Sequence, residues 1–173
     1  VISERMARWC AERTTQEAVD TLGKAMIPAG PVLSPQQALE HLGSAGALAL
    51  KRNLKPGITL GISWGTSVSA VVDSLQVEGP LPIKIVQLVG ALGARNTEYD
   101  GHALVARLAE KLNGEGHYLN APFLCPNPKT ASILLKTKGI QETVVLGRNS
   151  DIALLGVGSI SPKVSSYYLA GYV

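Results

Sequence analysis

The sequence predicts an α/β fold in which a parallel sheet carries helices on both faces. Short apolar segments alternate with helical patterns along the chain, and the connections between them are brief. Hydrophobic residues make up 46% of the 173 residues but aromatic residues only 5%, which favours helices packed on a buried aliphatic sheet. This length suits one compact domain, and we expect a single domain over residues 1–173.

The amino-terminal part is predicted to be mainly helical. Apolar residues recur at helical spacing over residues 3–18, with Ser3 as the N-cap. A short strand is predicted at residues 24–28, before a Pro-Ala-Gly-Pro break. Ser34, followed by proline at the first helical position, begins a long helix over residues 35–53.

The middle of the chain contains two strand and helix pairs. A Lys-Pro-Gly turn leads into a strand at residues 58–62, and the next helix spans residues 68–75. A second strand is predicted at residues 83–89. The helix after it is predicted at residues 97–113, with Gly114 as its C-cap.

The last third continues the alternation. We predict a strand at residues 117–120, helices at 128–136 and 141–146, and a final strong strand at 151–157. The terminal segment SSYYLAGYV contains three of the five tyrosines and is predicted to be a further strand or loop.

Three glycine-bearing loops each follow a predicted strand, at residues 61–67, 90–93 and 156–159. Ligands of open parallel sheets bind beyond the carboxyl ends of the strands, where these loops should lie. At the first loop, Gly65, Thr66 and Ser67 stand at a helix start and offer free N–H groups, two hydroxyls and a positive dipole end. These groups could bind a phosphate or another anion.

An ordinary strand-to-helix turn, with Thr and Ser as N-caps, explains the same glycines equally well. The loop has neither the P-loop ending nor the dinucleotide fingerprint. Trp64 favours a ligand role, since a large aromatic between two glycines suits a pocket wall or an interface anchor better than a simple turn.

Evidence for catalysis, metals, nucleic acid and membranes is weak. Glu98, Asp100 and His102 could act as acids and bases, or could simply begin a helix. Cys10 and Cys125 lie far apart without ligand spacing, so we expect neither a metal site nor a disulfide framework. We also expect no cofactor. The scattered basic residues and a net charge of +3 give no nucleic-acid footprint. A membrane span needs about 18 uninterrupted apolar residues, and no stretch of the sequence reaches that length. We therefore expect a cytoplasmic chain.

Four motifs together resemble the effector-binding domain of SorC/DeoR-type bacterial transcriptional regulators. They are GISWGTSVSAVVDSL, IKIVQLVGALG, NAPFL and DIALLGVGSI, in the order and spacing of that family. The resemblance implies a three-layer αβα sandwich with a mostly parallel sheet, similar to glucosamine-6-phosphate deaminase and ribose-5-phosphate isomerase. It also implies a domain that senses a phosphorylated sugar without converting it.

The resemblance further implies the ligand-binding residues and the partners. The site residues carried over are Ser63, Trp64, Gly65, Thr66, Ser67, Gly90, Ala91, Leu92, Asp151, Gly156 and Gly158. We expect a homo-oligomer that contacts operator DNA through an attached helix-turn-helix outside residues 1–173. We also expect the sugar-binding domain to be incomplete at its C-terminus. A sugar-phosphate isomerase or deaminase of the same fold, using Glu98, Asp100 and His102, is the alternative. An assembly domain with a vestigial pocket is a third reading.

Overall fold

The computed structural model describes residues 2–92, 99–163 and 165–169. The elements in chain order are α1 (Ile2–Ala11), α2 (Thr15–Lys24), α3 (Pro35–Asn53), β1 (Thr59–Ile62), α4 (Thr66–Ser74), β2 (Lys84–Gln87), α5 (Gly101–Leu112), β3 (Glu115–His117), α6 (Pro128–Lys136), α7 (Lys138–Arg148), β4 (Ile152–Leu154) and α8 (Ser166–Leu169). Contacts divide the chain into two compact units, residues 1–38 and 39–173. The expectation of a single domain stays a prediction.

The described strands form one parallel sheet in the order β3-β2-β1-β4. The first two crossovers, through α4 and α5, step in one direction across this sheet, and the third, through α6 and α7, steps back past β1. Because such crossovers are right-handed, α4 and α5 lie on one face and α7 on the other. The predicted α/β fold with helices on both faces of a parallel sheet is confirmed.

Alternating side chains on the strands fill the two sides of the sheet. On the α5 side, Gln87 lies against Gly101, and Ile85 belongs to the main core. On the α7 side, Val86 and Leu88 lie near Gly147. This period-2 pattern is the one expected for a sheet buried on both faces. The main core is aliphatic and includes Leu60, Ile62, Val72, Leu104, Leu108 and Leu112.

Several helix starts follow the sequence signals closely. Ser34 and Gln37 form a reciprocal pair, in which each side chain accepts a hydrogen bond from the other residue's backbone N–H. Asn127 Oδ1 accepts from the Thr130 backbone N–H at 2.9 Å, next to a proline at the first position of α6. The predicted helices at residues 35–53 and 128–136 are confirmed to the residue.

Two predictions for the amino-terminal part were wrong. Residues 3–18 do not form one helix, because α1 ends at Ala11 and the capping box between Thr14 and Glu17 begins a new helix, α2. Residues 24–28 do not form a strand. There α2 ends at Lys24, and Met26 turns the chain with a positive φ of 57°.

Other boundaries also differ from the predictions. The strand predicted at residues 117–120 lies two residues earlier, at Glu115–His117, where it pairs with β2. The C-cap of α5 is Asn113 in the left-handed region, and not Gly114, which packs closely against the Ile83 carbonyl. The tail predicted as strand or loop contains the short helix α8. Both α7 and β4 match their predictions with shifted ends.

Candidate functional site

A cavity of about 280 Å³ lies beyond the carboxyl ends of the central strands. The chain leaves β1 toward β2 on one side, whereas β4 lies on the other side of β1, so the sheet has its topological switch point between β1 and β4. Open parallel sheets bind ligands at this point. The cavity is lined by Ser63, Trp64, Gly65, Thr66, Ser67, Val89, Leu155, Gly156, Val157, Gly158 and Tyr167.

The loop between β1 and α4 presents the first turn of that helix to the cavity. Gly65 has φ 135° and ψ 159°, a conformation essentially restricted to glycine. Its N–H donates to the Tyr99 carbonyl at 3.2 Å, which fixes the loop. Gly65 is the N-cap of α4 and has no side chain to cap the helix. The first-turn N–H groups and the hydroxyls of Thr66 and Ser67 therefore stand at the cavity wall.

Ser63 joins this loop to the loop that follows β4. Its backbone N–H donates to the Leu154 carbonyl at 3.0 Å, and its Oγ accepts from the Gly156 N–H at 3.1 Å. The two loops therefore line the cavity together, and the predicted residues Gly156 and Gly158 lie in its wall.

The loop after β2 reaches the cavity through Val89 alone among the described residues. Gly90 is buried, and a Cβ there would lie 2.5 Å from the Pro122 carbonyl oxygen. Ala91 pairs with the next segment of chain, since its N–H donates to the Ala121 carbonyl and its carbonyl accepts from the Phe123 N–H. Gly90, Ala91 and Leu92 are thus not brought into the cavity wall.

Asp151 lies at the opposite, amino-terminal end of the sheet. Its carboxylate accepts from the Thr59 N–H at 2.8 Å, and its own N–H donates to the Thr59 carbonyl at 2.9 Å. This pair ties the start of β4 to the start of β1. The structure does not bring Asp151 to the cavity, and a residue that precedes a parallel strand lies at the wrong edge for a site beyond its carboxyl end.

Two aromatic residues that were absent from the predicted site contribute to this region. Tyr167 lines the cavity, and Phe123 packs against both Tyr167 and Trp64. The sequence contained signals for both, because Phe123 is the single phenylalanine of the chain and Tyr167 belongs to the tyrosine-rich tail. Neither signal indicated where these rings would pack.

The two described residues of the acidic and histidine cluster proposed for catalysis, Asp100 and His102, make structural contacts. Asp100 Oδ1 accepts from the Gly101 N–H at 2.7 Å and caps α5. His102 stacks on Tyr118 and lies 3.2 Å from Asn120 Oδ1 through Nε2. Neither lines the cavity, and Glu98 lies outside the described residues.

The polar groups of the cavity are uncharged side chains and backbone groups. Over residues 2–92, 99–163 and 165–169, no acidic, basic or histidine side chain lines it. In the same ranges no cluster of three or more His, Cys, Asp or Glu is placed to hold a metal. No helix in this described part of the chain is long and apolar enough for a membrane crossing.

Comparison with known families decides the classification. The family model Sugar-bind, a sugar-binding domain, matches residues 22–172. The chain belongs to the Sugar-bind family. The resemblance to SorC/DeoR-type regulators is confirmed by relatives and solved structures alike.

Named relatives of this Sugar-bind chain are regulators. The sorbitol operon regulator of Klebsiella pneumoniae is 28% identical over 87% of this chain and 49% of its own length. The deoxyribonucleoside regulator of Bacillus subtilis is 25% identical over 90% of this chain and 53% of its own length. The Sugar-bind chain therefore spans about half the length of these relatives.

A solved structure shows a similar fold. The full-length sorbitol operon regulator SorC from Klebsiella pneumoniae superposes with a TM-score of 0.74 and 26% sequence identity. The match covers 83% of this Sugar-bind chain and 48% of that protein.

Proposed function

We propose that this Sugar-bind chain is the effector-binding part of a bacterial transcriptional regulator and that its effector is a phosphorylated sugar. The phosphate binds at the β1–α4 loop, on the first-turn N–H groups of α4 and the hydroxyls of Thr66 and Ser67. The chain does not convert this ligand. It acts in the cytoplasm, where it communicates the presence of the sugar to operator DNA.

The observation that carries this proposal is the position of the α4 N-terminus. It lines a cavity at the switch point of a parallel sheet, it lacks a side-chain cap, and two hydroxyls flank it. An anion satisfies unpaired N–H groups and interacts favourably with the positive end of the helix dipole. The uncharged lining suits a ligand whose phosphate is held by dipoles and hydrogen bonds.

Coupling to DNA follows from differential affinity. A ligand shifts a protein between two arrangements only if it binds one of them more tightly. We propose that the chain forms a homo-oligomer and that the bound sugar phosphate favours one arrangement of its subunits. An attached helix-turn-helix, outside residues 1–173, would then meet operator DNA with altered spacing.

The test is a thermal-shift screen with sorbitol, deoxyribose and their phosphate esters, beside inorganic phosphate. The first two follow the names of the relatives. A ligand at 100 times its dissociation constant adds about 2.7 kcal/mol to the free energy of unfolding, which raises the melting temperature visibly. Every ligand that stabilises the protein is then incubated with it and assayed for product.

Three outcomes separate the possibilities. Stabilisation by a phosphate ester that is recovered unchanged supports the sensor. Formation of product would replace the sensor by an isomerase or deaminase. A screen in which no phosphorylated compound stabilises the protein would contradict effector binding and favour an assembly role with a vestigial pocket.

A further inference from the structure

Three aromatic rings pack together beside the cavity. The Trp64 ring meets Phe123 edge to face at a centroid distance of 5.7 Å, and it meets Tyr167 in a tilted edge contact at 5.5 Å. Phe123 and Tyr167 stack on each other at 5.4 Å with an interplanar angle of 28°. Each ring therefore contacts the other two, and residues from three separate parts of the chain form this aromatic cluster.

The Trp64 side chain is half-buried, but its indole N–H is enclosed. This N–H has no hydrogen-bond acceptor among the described residues. Buried tryptophan N–H groups normally find an acceptor, and a side chain that lacks one is poorly chosen as a structural filler. The placement of this ring is better explained by the surface that Trp64 offers to the cavity.

Tyr167 reaches the same cavity from the tail of the chain, where Ser165 is also buried. Residues 155–163, which follow β4, are exposed, and Val157 and Ile160 are both 97% exposed. Tyr167 and the adjacent Tyr168 are similarly exposed, at 40% and 45%, but only Tyr167 lines the cavity and stacks on the other rings. The tail thus contributes one particular tyrosine to the site.

The cavity therefore has a polar part and an apolar part. Hydrogen-bond donors lie at the start of α4, and the aromatic cluster lies beside them together with Val89 and Leu155. Inorganic phosphate can use only the donors. A phosphate ester also carries carbon atoms, and its C–H groups gain by leaving water for an apolar wall.

We propose that Tyr167, supported by Phe123 and Trp64, forms a second subsite that binds the carbon skeleton of the ligand and selects sugar phosphates over inorganic phosphate. This inference rests on the proposed function, because it takes the α4 N-terminus as the phosphate site. It assigns ligand specificity to a residue of the tail.

The experiment compares two ligand classes on matched variants. Calorimetric titrations measure the affinities of sorbitol 6-phosphate, deoxyribose 5-phosphate and inorganic phosphate for the wild-type chain, Tyr167→Ala, Tyr167→Phe and the control Tyr168→Ala. We expect Tyr167→Ala to weaken the better ester about tenfold, because a ring's apolar contact is lost, while inorganic phosphate binds unchanged. Tyr167→Phe keeps the ring and should retain most of the preference. Tyr168→Ala should retain all of it.

A fluorescence measurement tests the same subsite directly. In a Trp9→Phe background Trp64 is the remaining tryptophan, because the chain has two. We expect its emission to change with the sugar phosphate and to change little with inorganic phosphate.

Failure of the aromatic subsite and failure of the proposed function give different binding results. Two results with Tyr167→Ala would overturn the aromatic subsite without contradicting the phosphate site. One is an equal loss of affinity for sugar phosphates and for inorganic phosphate, and the other is an unchanged preference for the sugar phosphates. So would esters that bind wild type no more tightly than inorganic phosphate. Absence of binding by every phosphate compound would overturn the proposed function, and the subsite with it.

Discussion

Gly65 determines the geometry of the candidate site. Its backbone occupies a region that L side chains rarely adopt, yet a Cβ placed on it would meet no atom within 4 Å. The requirement for glycine is thus conformational and not steric. That conformation directs the chain from β1 into α4 while its N–H still bonds to the Tyr99 carbonyl.

Gly65→Ala should lower the free energy of unfolding by about 1–3 kcal/mol, because alanine must hold this strained conformation. Urea denaturation measures the loss. Gly139→Ala is the matched control, since Gly139 also has open space around its Cβ but lies in α7 without a positive φ. Its expected effect is neutral or stabilising. Equal losses in the two variants would show that the conformation of Gly65 carries no strain.

A second prediction at the scale of residues concerns the hydroxyls of Thr66 and Ser67. Thr66→Val and Ser67→Ala should each weaken binding of the sugar phosphate by about 1.5–3 kcal/mol, as expected for a lost hydrogen bond to a charged group. Stability should change little, because Thr66 is exposed and Ser67 half-buried.

Isothermal titration calorimetry provides the affinities. Thr137→Val is the control, because Thr137 is exposed at the C-terminal end of α6 and its hydroxyl donates to the Ile133 carbonyl of that helix. Unchanged affinity in both Thr66→Val and Ser67→Ala would remove the hydroxyls from the phosphate site.

At the scale of elements, helix starts are determined locally and strand ends are not. The start of α2 depends on Thr14 and Glu17, whose carboxylate accepts from the Thr14 N–H at 2.8 Å and from its hydroxyl at 2.9 Å. These hydrogen bonds from Thr14 hold the pKa of Glu17 below its ordinary value of 4.5. The same capping box explains why residues 3–18 form two helices.

Glu17→Gln should change how the stability of the chain depends on pH. A lowered folded-state pKa means that the ionised carboxylate stabilises the helix above its unfolded-state pKa, and this contribution disappears as pH falls through the folded-state value. The difference in stability between wild type and Glu17→Gln should therefore shrink on acidification. Denaturation followed by circular dichroism from neutral to acidic pH measures it. A difference that stays constant would contradict the capping role of the charge.

The sequence predicted most elements because their signals are local. Alternation of apolar strands with helical periodicity was enough for α3, α6 and a parallel sheet. The edge strand β3 was misplaced because its three residues, Glu115–His117, carry no hydrophobic run and are defined by pairing with β2. Edge pairing of this kind is a long-range property that local propensity does not capture.

On the scale of the whole molecule, the candidate site was predicted in part. The strand-to-helix loop at Ser63 to Ser67 and the glycines after β4 lie together at the cavity, as their positions after parallel strands require. The aromatic cluster could not be predicted, because Trp64, Phe123 and Tyr167 are brought together only by the tertiary fold. Family resemblance alone suggested Asp151, and topology places it at the other edge.

The central claim is that the first turn of α4 binds the phosphate of a sugar phosphate. The most direct measurement is a titration of ¹⁵N-labelled protein with the stabilising sugar phosphate and with inorganic phosphate, followed by backbone amide resonances. We expect both ligands to shift the amides of Gly65, Thr66, Ser67 and Val68 most strongly. The largest shifts at a distant surface, such as the α7 face around Val145, with the α4 amides unmoved, would contradict it.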